Sequence, residues 1–175
     1  METSTIKHGV TLNASPHEVY EALIDPAKHT AFSGAPAEIN AKPGGKFSFY
    51  GGQLEGTTLE LEKDRRIVQN WRSTNWPKGH YSRVTYELTP LAEGRATLLL
   101  LSHSEVPLQD AADINRGWHT YYWTKMAAYF REQTVAVVRR FMEEFKNKAN
   151  LNIVDELFTP AFVLHLPGPE VPRGP

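Results

Sequence analysis

Hydrophobic residues near the N-terminus recur at the spacing of a helix. Ser15 is followed by Pro16 and, three residues after the serine, by Glu18, which together form the pattern of a capping box at a helix start. The apolar positions that follow share one helical face and end before a proline: Val19, Tyr20, Leu23 and Ile24. The pattern predicts a helix here, preceded by a strand over residues 6–12 and followed by a short second helix over residues 28–32.

From residue 38 onward the hydrophobic pattern changes to strict alternation, which is typical of strands with one face buried. Glycine pairs at Gly44-Gly45 and Gly51-Gly52 lie where tight turns are needed. The alternating segments are residues 47–49, 59–61, 66–72, 81–88 and 95–104. Because no helical pattern separates them, we expect an antiparallel meander.

Helical spacing returns after Pro107 and places large side chains along one broad stripe. The stripe consists of Ile114, Trp118, Tyr121, Tyr122, Lys125, Met126 and Tyr129. So many aromatic rings need a wide apolar surface to lie on, and a curved sheet supplies one. The sequence therefore predicts an α+β fold in which a long helix covers the concave face of an antiparallel sheet.

The helical pattern continues past residue 130 without a glycine or proline until after residue 159. This is longer than one ordinary globular helix, so we place a junction near residues 131–134. An apolar stripe lies beyond it, consisting of Val135, Val138, Phe141 and Phe145. We expect this stripe to pack on the first domain or to form a homodimer interface.

Composition narrows the functional classes. The chain is 41% hydrophobic and 22% charged, with a formal net charge of −1, which fits a globular protein and argues against nucleic acid as the main partner. It contains no cysteine, so disulfides, thiolate metal sites and cysteine nucleophiles are excluded. With no long apolar run and a polar start, the sequence predicts no membrane span and a cytoplasmic location.

Few residues point to chemistry directly. The histidines show no metal-ligand spacing, and the neighbours of His103 on its predicted strand, Ser102 and Ser104, face away from its ring. These patterns therefore predict no metal site, no cofactor and no catalytic residue. On the alternation, Trp71 shares a face with Ile67 and Gln69, where the indole serves either as the wall of a pocket or as part of the core.

Several segments of the chain resemble those of one known family and occur in the same order. They are Val19-Tyr20-Glu21-Ala22-Leu23, Phe32-Ser33-Gly34, Pro43 to Phe47, Gly51-Gly52, Arg66 to Arg72 and Gly117-Trp118 through Tyr122-Trp123. Together they resemble the homologues of the activator of heat-shock protein 90 ATPase, within the START-like, Bet v 1-like (SRPBCC) superfamily. The resemblance covers about residues 5–130 and implies a helix-grip fold with a cavity between sheet and helix.

The tail resembles a second family. Residues 134–145, 152–158 and 162–165 look like the opening of a SnoaL-like polyketide cyclase domain, of which residues 131–175 would supply only a fragment. A segment this short buries too little apolar area to fold as that domain alone. We expect a helical tail, with a strand over residues 162–166.

The resemblances leave three functions open. The first is binding of a small hydrophobic or amphipathic ligand in the cavity, with walls and anchors drawn from Phe49, Trp71, Arg72, Trp76, His103, Trp118 and Tyr122. Arg72 would contribute only if the strand faced the other way. The second is a co-chaperone-like protein-binding module. The third is a START-like or SnoaL-like cyclase with His103 or Glu60 as acid or base, so the question of enzymatic activity stays open.

Overall fold

The structure, a computed structural model, describes residues 1–147 and 152–157. Its described part contains a seven-stranded antiparallel sheet in the order β1-β7-β6-β5-β4-β3-β2. The strands are β1 (Thr3–Leu12), β2 (Ala37–Ile39), β3 (Lys46–Phe49), β4 (Leu54–Glu62), β5 (Arg66–Ser73), β6 (Ser82–Leu91) and β7 (Ala96–Pro107). Strands β3 to β7 form the predicted meander, β2 extends it at one edge without having been predicted, and β1 pairs with β7.

Two short helices connect β1 to β2. The first, α1 (Pro16–Ile24), begins at a capping box in which the side chains and backbone amides of Ser15 and Glu18 bond reciprocally. The second, α2 (Pro26–Ser33), ends at Gly34, whose φ of 72° is a conformation that glycine adopts without steric cost. The predicted start of α1 is confirmed.

The chain after β7 is helical but not uniformly α-helical. It consists of α3 (Ala111–Gly117), a π-helical turn (Trp118–Trp123) and α4 (Thr124–Phe141). The wider π turn directs the consecutive side chains Tyr122 and Trp123 into the interior, with 4% and 5% of each exposed. The predicted stripe is wrong at Tyr121, which is 52% exposed, and it omits Trp123 because it assumed regular α-helical spacing.

The core lies between the concave face of the sheet and this helix. Ile67, Gln69 and Trp71 of β5 are all buried on one face, as the alternation predicts, whereas Asn70 and Arg72 are half-buried on the other. The helix contributes Trp118, Tyr122, Met126 and Phe130, all buried. This is the expected α+β helix-grip arrangement.

The chain divides into two compact units, Met1–Glu132 and Gln133–Pro175. In the second, a π-helical segment (Met142–Asn147) and α5 (Asn152–Leu157) are described. Val135 and Val138 are each 49% exposed, but Phe141 is buried and stacks on Phe145 at 5.0 Å. Phe141 is therefore not part of the exposed surface, unlike Val135 and Val138. The strand predicted over residues 162–166 lies outside the described residues.

Within the part of the chain that the structure describes, no helix is long and apolar enough to cross a bilayer.

Candidate functional site

A cavity of about 680 Å³ opens between the sheet, the loop after β5 and the C-terminal helix. The sheet and its loops supply one wall, consisting of Tyr50, Gln53, Leu54, Trp71, Ser73, Thr74, Asn75, Trp76 and His103. The helical segment supplies the other, consisting of Asp113, Ile114, Gly117, Trp118, Tyr121 and Tyr122. A volume of this size is ordinary for a site that takes a small organic ligand.

Aromatic rings dominate the walls and contact one another directly. The ring centroids of Trp71 and Trp118 are 5.2 Å apart, and those of Trp118 and Tyr122 are 4.6 Å apart. On its other side Trp118 stacks on Trp123 at 5.3 Å with an interplanar angle of 13°. Contacts of this kind hold the rings in fixed positions, so the apolar wall is preformed.

Both ring nitrogens of His103 are occupied in a hydrogen-bond chain at the base of the cavity. The indole Nε1–H of Trp118 donates to Nδ1 of His103 over 3.1 Å. Since an indole can only donate, the proton of the neutral imidazole lies on Nε2, from which it bonds to Oγ of Ser82 over 2.7 Å. The Ser82 hydroxyl then donates to the backbone carbonyl of Trp71 over 3.2 Å.

Burial lowers the pKa of His103 to about 3, because desolvation disfavours the charged imidazolium. Protonation at Nδ1 would also break the bond from Trp118. His103 is thus a neutral structural group that joins the sheet to the helix. It lines the cavity as predicted, but neither ring nitrogen is free to anchor a ligand or to act as a base.

Phe49 does not line the cavity and lies in the layer behind its wall. Its ring stacks on the buried His29 at 4.2 Å and lies 5.6 Å from Trp71. Nε2 of His29 is 3.3 Å from the Tyr122 hydroxyl, while its Nδ1 has no partner among the described residues. Burial lowers the pKa of His29 to about 4. His29 gives no signal in the sequence, because a lone histidine on a short helix forms no pattern.

Arg72 lies on the opposite face of the sheet and does not enter the cavity. Its guanidinium donates to Oε1 of Glu55 and to the backbone carbonyl of Trp76, both over 3.1 Å. The role of Arg72 as a ligand anchor is therefore wrong, since β5 has the orientation that its alternation predicts. The residue instead holds the loop that carries Trp76, which is buried and lines the cavity.

Glu60 is likewise outside the cavity. It bonds to the guanidinium of Arg66 on the exposed surface, so the interpretation of Glu60 as an internal acid is wrong. A bulge between Thr58 and Glu60 in the pairing of β4 with β5 changes the register here, and the alternating pattern of residues 59–61 does not reveal such an irregularity.

Tyr50 is a cavity residue that the sequence analysis missed. It adopts a φ of 53°, uncommon for a tyrosine, at the start of the glycine turn after β3. Its hydroxyl is buried without a partner among the described residues, and burial raises its pKa to about 12. The only sequence signal was its position next to Gly51-Gly52, which was interpreted as a hairpin turn alone.

The described residues contain no group of three or more metal-ligating side chains. A curved antiparallel sheet that grips a long helix around an aromatic cavity defines the helix-grip class, which includes START-like and Bet v 1-like proteins. More narrowly, the chain belongs to the family described as "Activator of Hsp90 ATPase homolog 1-like protein", whose model matches residues 13–131. This confirms the family resemblance.

Relatives agree with that assignment. Human activator of 90 kDa heat shock protein ATPase homolog 1 is 32% identical over 113 residues, which are 65% of this chain and 33% of the human protein. The structure of an HSP90 activator from Plasmodium falciparum superposes with a TM-score of 0.62 at 26% identity, over 69% of this chain and 90% of that one. The Aha1 dimer from Colwellia psychrerythraea shares the fold, with a TM-score of 0.62 at 17% identity over 73% of this chain and 96% of that one.

The chain spans about a third of the length of the curated relatives it matches.

Proposed function

We propose that this protein binds a small hydrophobic or amphipathic ligand in the cavity under its C-terminal helix. The observation that carries the proposal is the aromatic-walled cavity of about 680 Å³. Trp71, Trp76, Trp118 and Tyr122 supply its apolar contact area, and His103 forms part of its base with both ring nitrogens already hydrogen-bonded.

Energetics support this proposal. Each square ångström of apolar ligand surface removed from water contributes roughly 25 cal/mol, and aromatic walls provide large contact areas at little cost in side-chain entropy. The rings that form the wall already contact one another, so binding does not need to order them.

The test is native mass spectrometry of protein purified from its own host, before and after extraction with organic solvent. A bound small molecule that is lost on extraction would support the proposal. Ile114→Trp, which adds bulk at the cavity wall, should abolish retention, and Leu108→Trp on an exposed residue outside the cavity should not. A wild-type protein that carries nothing, and that takes up nothing when refolded with host lipid extract, would contradict it.

A second candidate is a co-chaperone-like protein-binding module. The observation that favours it is the family membership together with relatives described as activators of heat shock protein ATPase. The test is the ATPase rate of purified Hsp90 with and without this protein. Such a role needs a binding surface and not an open cavity, so Ile114→Trp should leave any stimulation unchanged while it abolishes ligand retention.

The cyclase alternative draws no support from His103 or Glu60. Both ring nitrogens of His103 are bonded, and Glu60 lies on the surface beside Arg66. Among the described lining residues, Asp113 is the carboxylate, and it is paired with Arg116. We therefore place this function behind the other two.

A homodimer and a cytoplasmic location complete the proposal. Support for the dimer is the exposure of Val135 and Val138 and the dimer described for the Colwellia psychrerythraea neighbour. Replacing Val135 and Val138 with glutamate should shift sedimentation to the monomer, whereas the neighbouring exposed Ala136→Glu should not. A wild-type monomer at high concentration would contradict the dimer, and a fluorescent fusion in the host would test the location.

A further inference from the structure

The charges around the cavity restrict the class of ligand. Among the described residues that line the cavity, Asp113 is the one carboxylate, and there is no lysine or arginine. The other lining side chains carry no charge, and most of the large ones are aromatic. The aliphatic lining side chains are Leu54 and Ile114. From this arrangement we infer that the cavity selects an uncharged planar aromatic molecule and rejects anions such as carboxylates and sulfonates, an inference that rests on the proposed ligand-binding function.

Three cations beside lining residues, Arg72, Arg116 and Lys125, already have partners. Arg72 bonds to Glu55 and to the carbonyl of Trp76. Arg116 pairs with Asp113 and so also offsets the charge of that carboxylate.

The third neighbouring cation, Lys125, bonds to the carbonyl of Ser33, and its ammonium lies 5.7 Å from the centre of the Tyr121 ring. An anionic ligand would therefore have to displace an existing protein contact before it paired with any of these three cations.

The ring walls add to this discrimination. Moving an anion out of water without a compensating partner costs several kcal/mol. The faces of indole and phenol rings carry negative electrostatic potential, which repels an anion and attracts the positive edge of another aromatic ring. A planar ligand without charge gains the stacking contacts and avoids the desolvation cost.

Polar groups near the mouth define where a hydroxyl or carbonyl of the ligand would lie. Gln53, Thr74 and Asn75 are exposed lining residues whose side chains both donate and accept hydrogen bonds. The hydroxyl of Tyr50 is sealed from this opening and is not available to the ligand without movement of its ring. The ligand is thus aromatic at its buried end and polar, but uncharged, at its exposed end.

Two fluorescent probes with the same ring skeleton test the charge. N-phenyl-1-naphthylamine is uncharged, and 1-anilinonaphthalene-8-sulfonate carries one sulfonate. We expect the uncharged probe to bind at least tenfold more tightly, with both signals reduced by Ile114→Trp. Equal or tighter binding of the sulfonate would overturn the inference, while the ligand-binding proposal would survive on the mass-spectrometric result. Failure of both probes to bind saturably would also overturn the inference.

An added cation controls for the different water solubility of the probes. Asn75→Arg places a guanidinium at the cavity mouth, and we expect it to raise the ratio of sulfonate affinity to uncharged-probe affinity at least fivefold, because only the sulfonate can pair with the added charge. Thr89→Arg, on an exposed residue that does not line the cavity, is the matched control and should change neither. An unchanged affinity ratio in Asn75→Arg would overturn the charge argument.

The preference for planar aromatic molecules has its own measurement. Decan-1-ol is uncharged and apolar but has no ring, so it should displace N-phenyl-1-naphthylamine only at concentrations at least tenfold higher than 1-naphthol does. Equal displacement by the two alcohols would overturn the aromatic preference.

Discussion

At the scale of single residues, the His103 chain of hydrogen bonds determines how the helix is attached to the sheet. Trp118 of the helix, His103 of β7, Ser82 of β6 and the carbonyl of Trp71 in β5 are linked in sequence, and each donor meets one acceptor. Buried polar groups stabilise a fold only when all of them are hydrogen-bonded. Removal of any residue in this chain therefore leaves a buried donor or acceptor without a partner, which lowers the free energy of unfolding.

Ser82→Ala should therefore lower the free energy of unfolding by about 1–3 kcal/mol, because Nε2–H of His103 loses its acceptor inside the core. Urea denaturation measures the change. In a His103→Leu background the same serine substitution should cost much less, since no imidazole remains to be satisfied. Equal costs in the two backgrounds would show that the two side chains are not coupled.

The two buried histidines also predict how stability depends on pH. Burial lowers the pKa of His29 to about 4 and that of His103 to about 3, below the value of 6.5 in an unfolded chain. As pH falls below about 6.5 the unfolded state binds protons first, so the free energy of unfolding should fall by about 1.4 kcal/mol per pH unit for each histidine until its folded pKa is reached.

His29→Phe should reduce this slope by about 1.4 kcal/mol per pH unit between pH 6 and pH 4. The phenyl ring can stack on Phe49 as the imidazole does, but it does not titrate. Denaturant titrations at several pH values give the slope. The exposed Thr89→Gln, which removes no titratable group, is the control and should leave the slope unchanged. A His29→Phe slope identical to that of the wild type would contradict the assignment of His29 as neutral in the folded protein.

At the scale of elements, local sequence determines where helices begin, and tertiary packing determines their internal geometry. The capping box at Ser15 and Glu18 is a local signal that the structure reproduces. The π turn at residues 118–123 has no such signal. It adds one residue to a turn so that both Tyr122 and Trp123 face the interior, which helical periodicity by itself does not anticipate.

Ser15→Ala should lower the free energy of unfolding by about 1 kcal/mol, because the backbone amide of Glu18 loses the oxygen that caps it. Ser15→Asp keeps an acceptor at the same position and should restore most of this stability. Thermal and urea unfolding of the Ser15→Ala and Ser15→Asp variants measure the difference in their free energies of unfolding. An alanine variant as stable as the aspartate variant would mean that solvent caps the helix equally well.

At the scale of the whole molecule, the residues that surround the cavity all belong to the unit that ends at Glu132. The buried aromatic and aliphatic side chains of that unit extend as far as Phe130. Its sheet and the helical segment over it thus contain a complete core.

A chain of residues 1–132 should therefore fold cooperatively and bind the uncharged naphthyl probe as the full chain does. Circular dichroism and probe titration are the measurements. A chain of residues 1–117 lacks Trp118, Tyr122 and Met126, and it should fail to fold because the concave face of the sheet loses its cover. If residues 1–132 did not fold, the second unit would be required for the first.

The sequence determined the parts of this protein that depend on local spacing. Alternation identified strands β1 and β3 to β7, but not β2, and it identified the buried face of β5. Capping residues set the start of α1, and helical spacing placed Trp118 and Tyr122 on the helix that covers the sheet. The family-typical segments, which occur in their expected order along the chain, also identified the family. These features are local because they follow from backbone periodicity and from contacts between residues a few positions apart.

Only the tertiary structure decided which of these residues form the cavity. Phe49 lies behind the wall and Arg72 outside it, whereas Tyr50 and the loop residues after β5 line it. The partners of His103 come from three separate segments, and neither their distances nor the proton on Nε2 can be deduced from spacing. The physical reason is that cavity walls and buried hydrogen bonds depend on the register of distant strands and on the phase of a helix, which long-range packing determines.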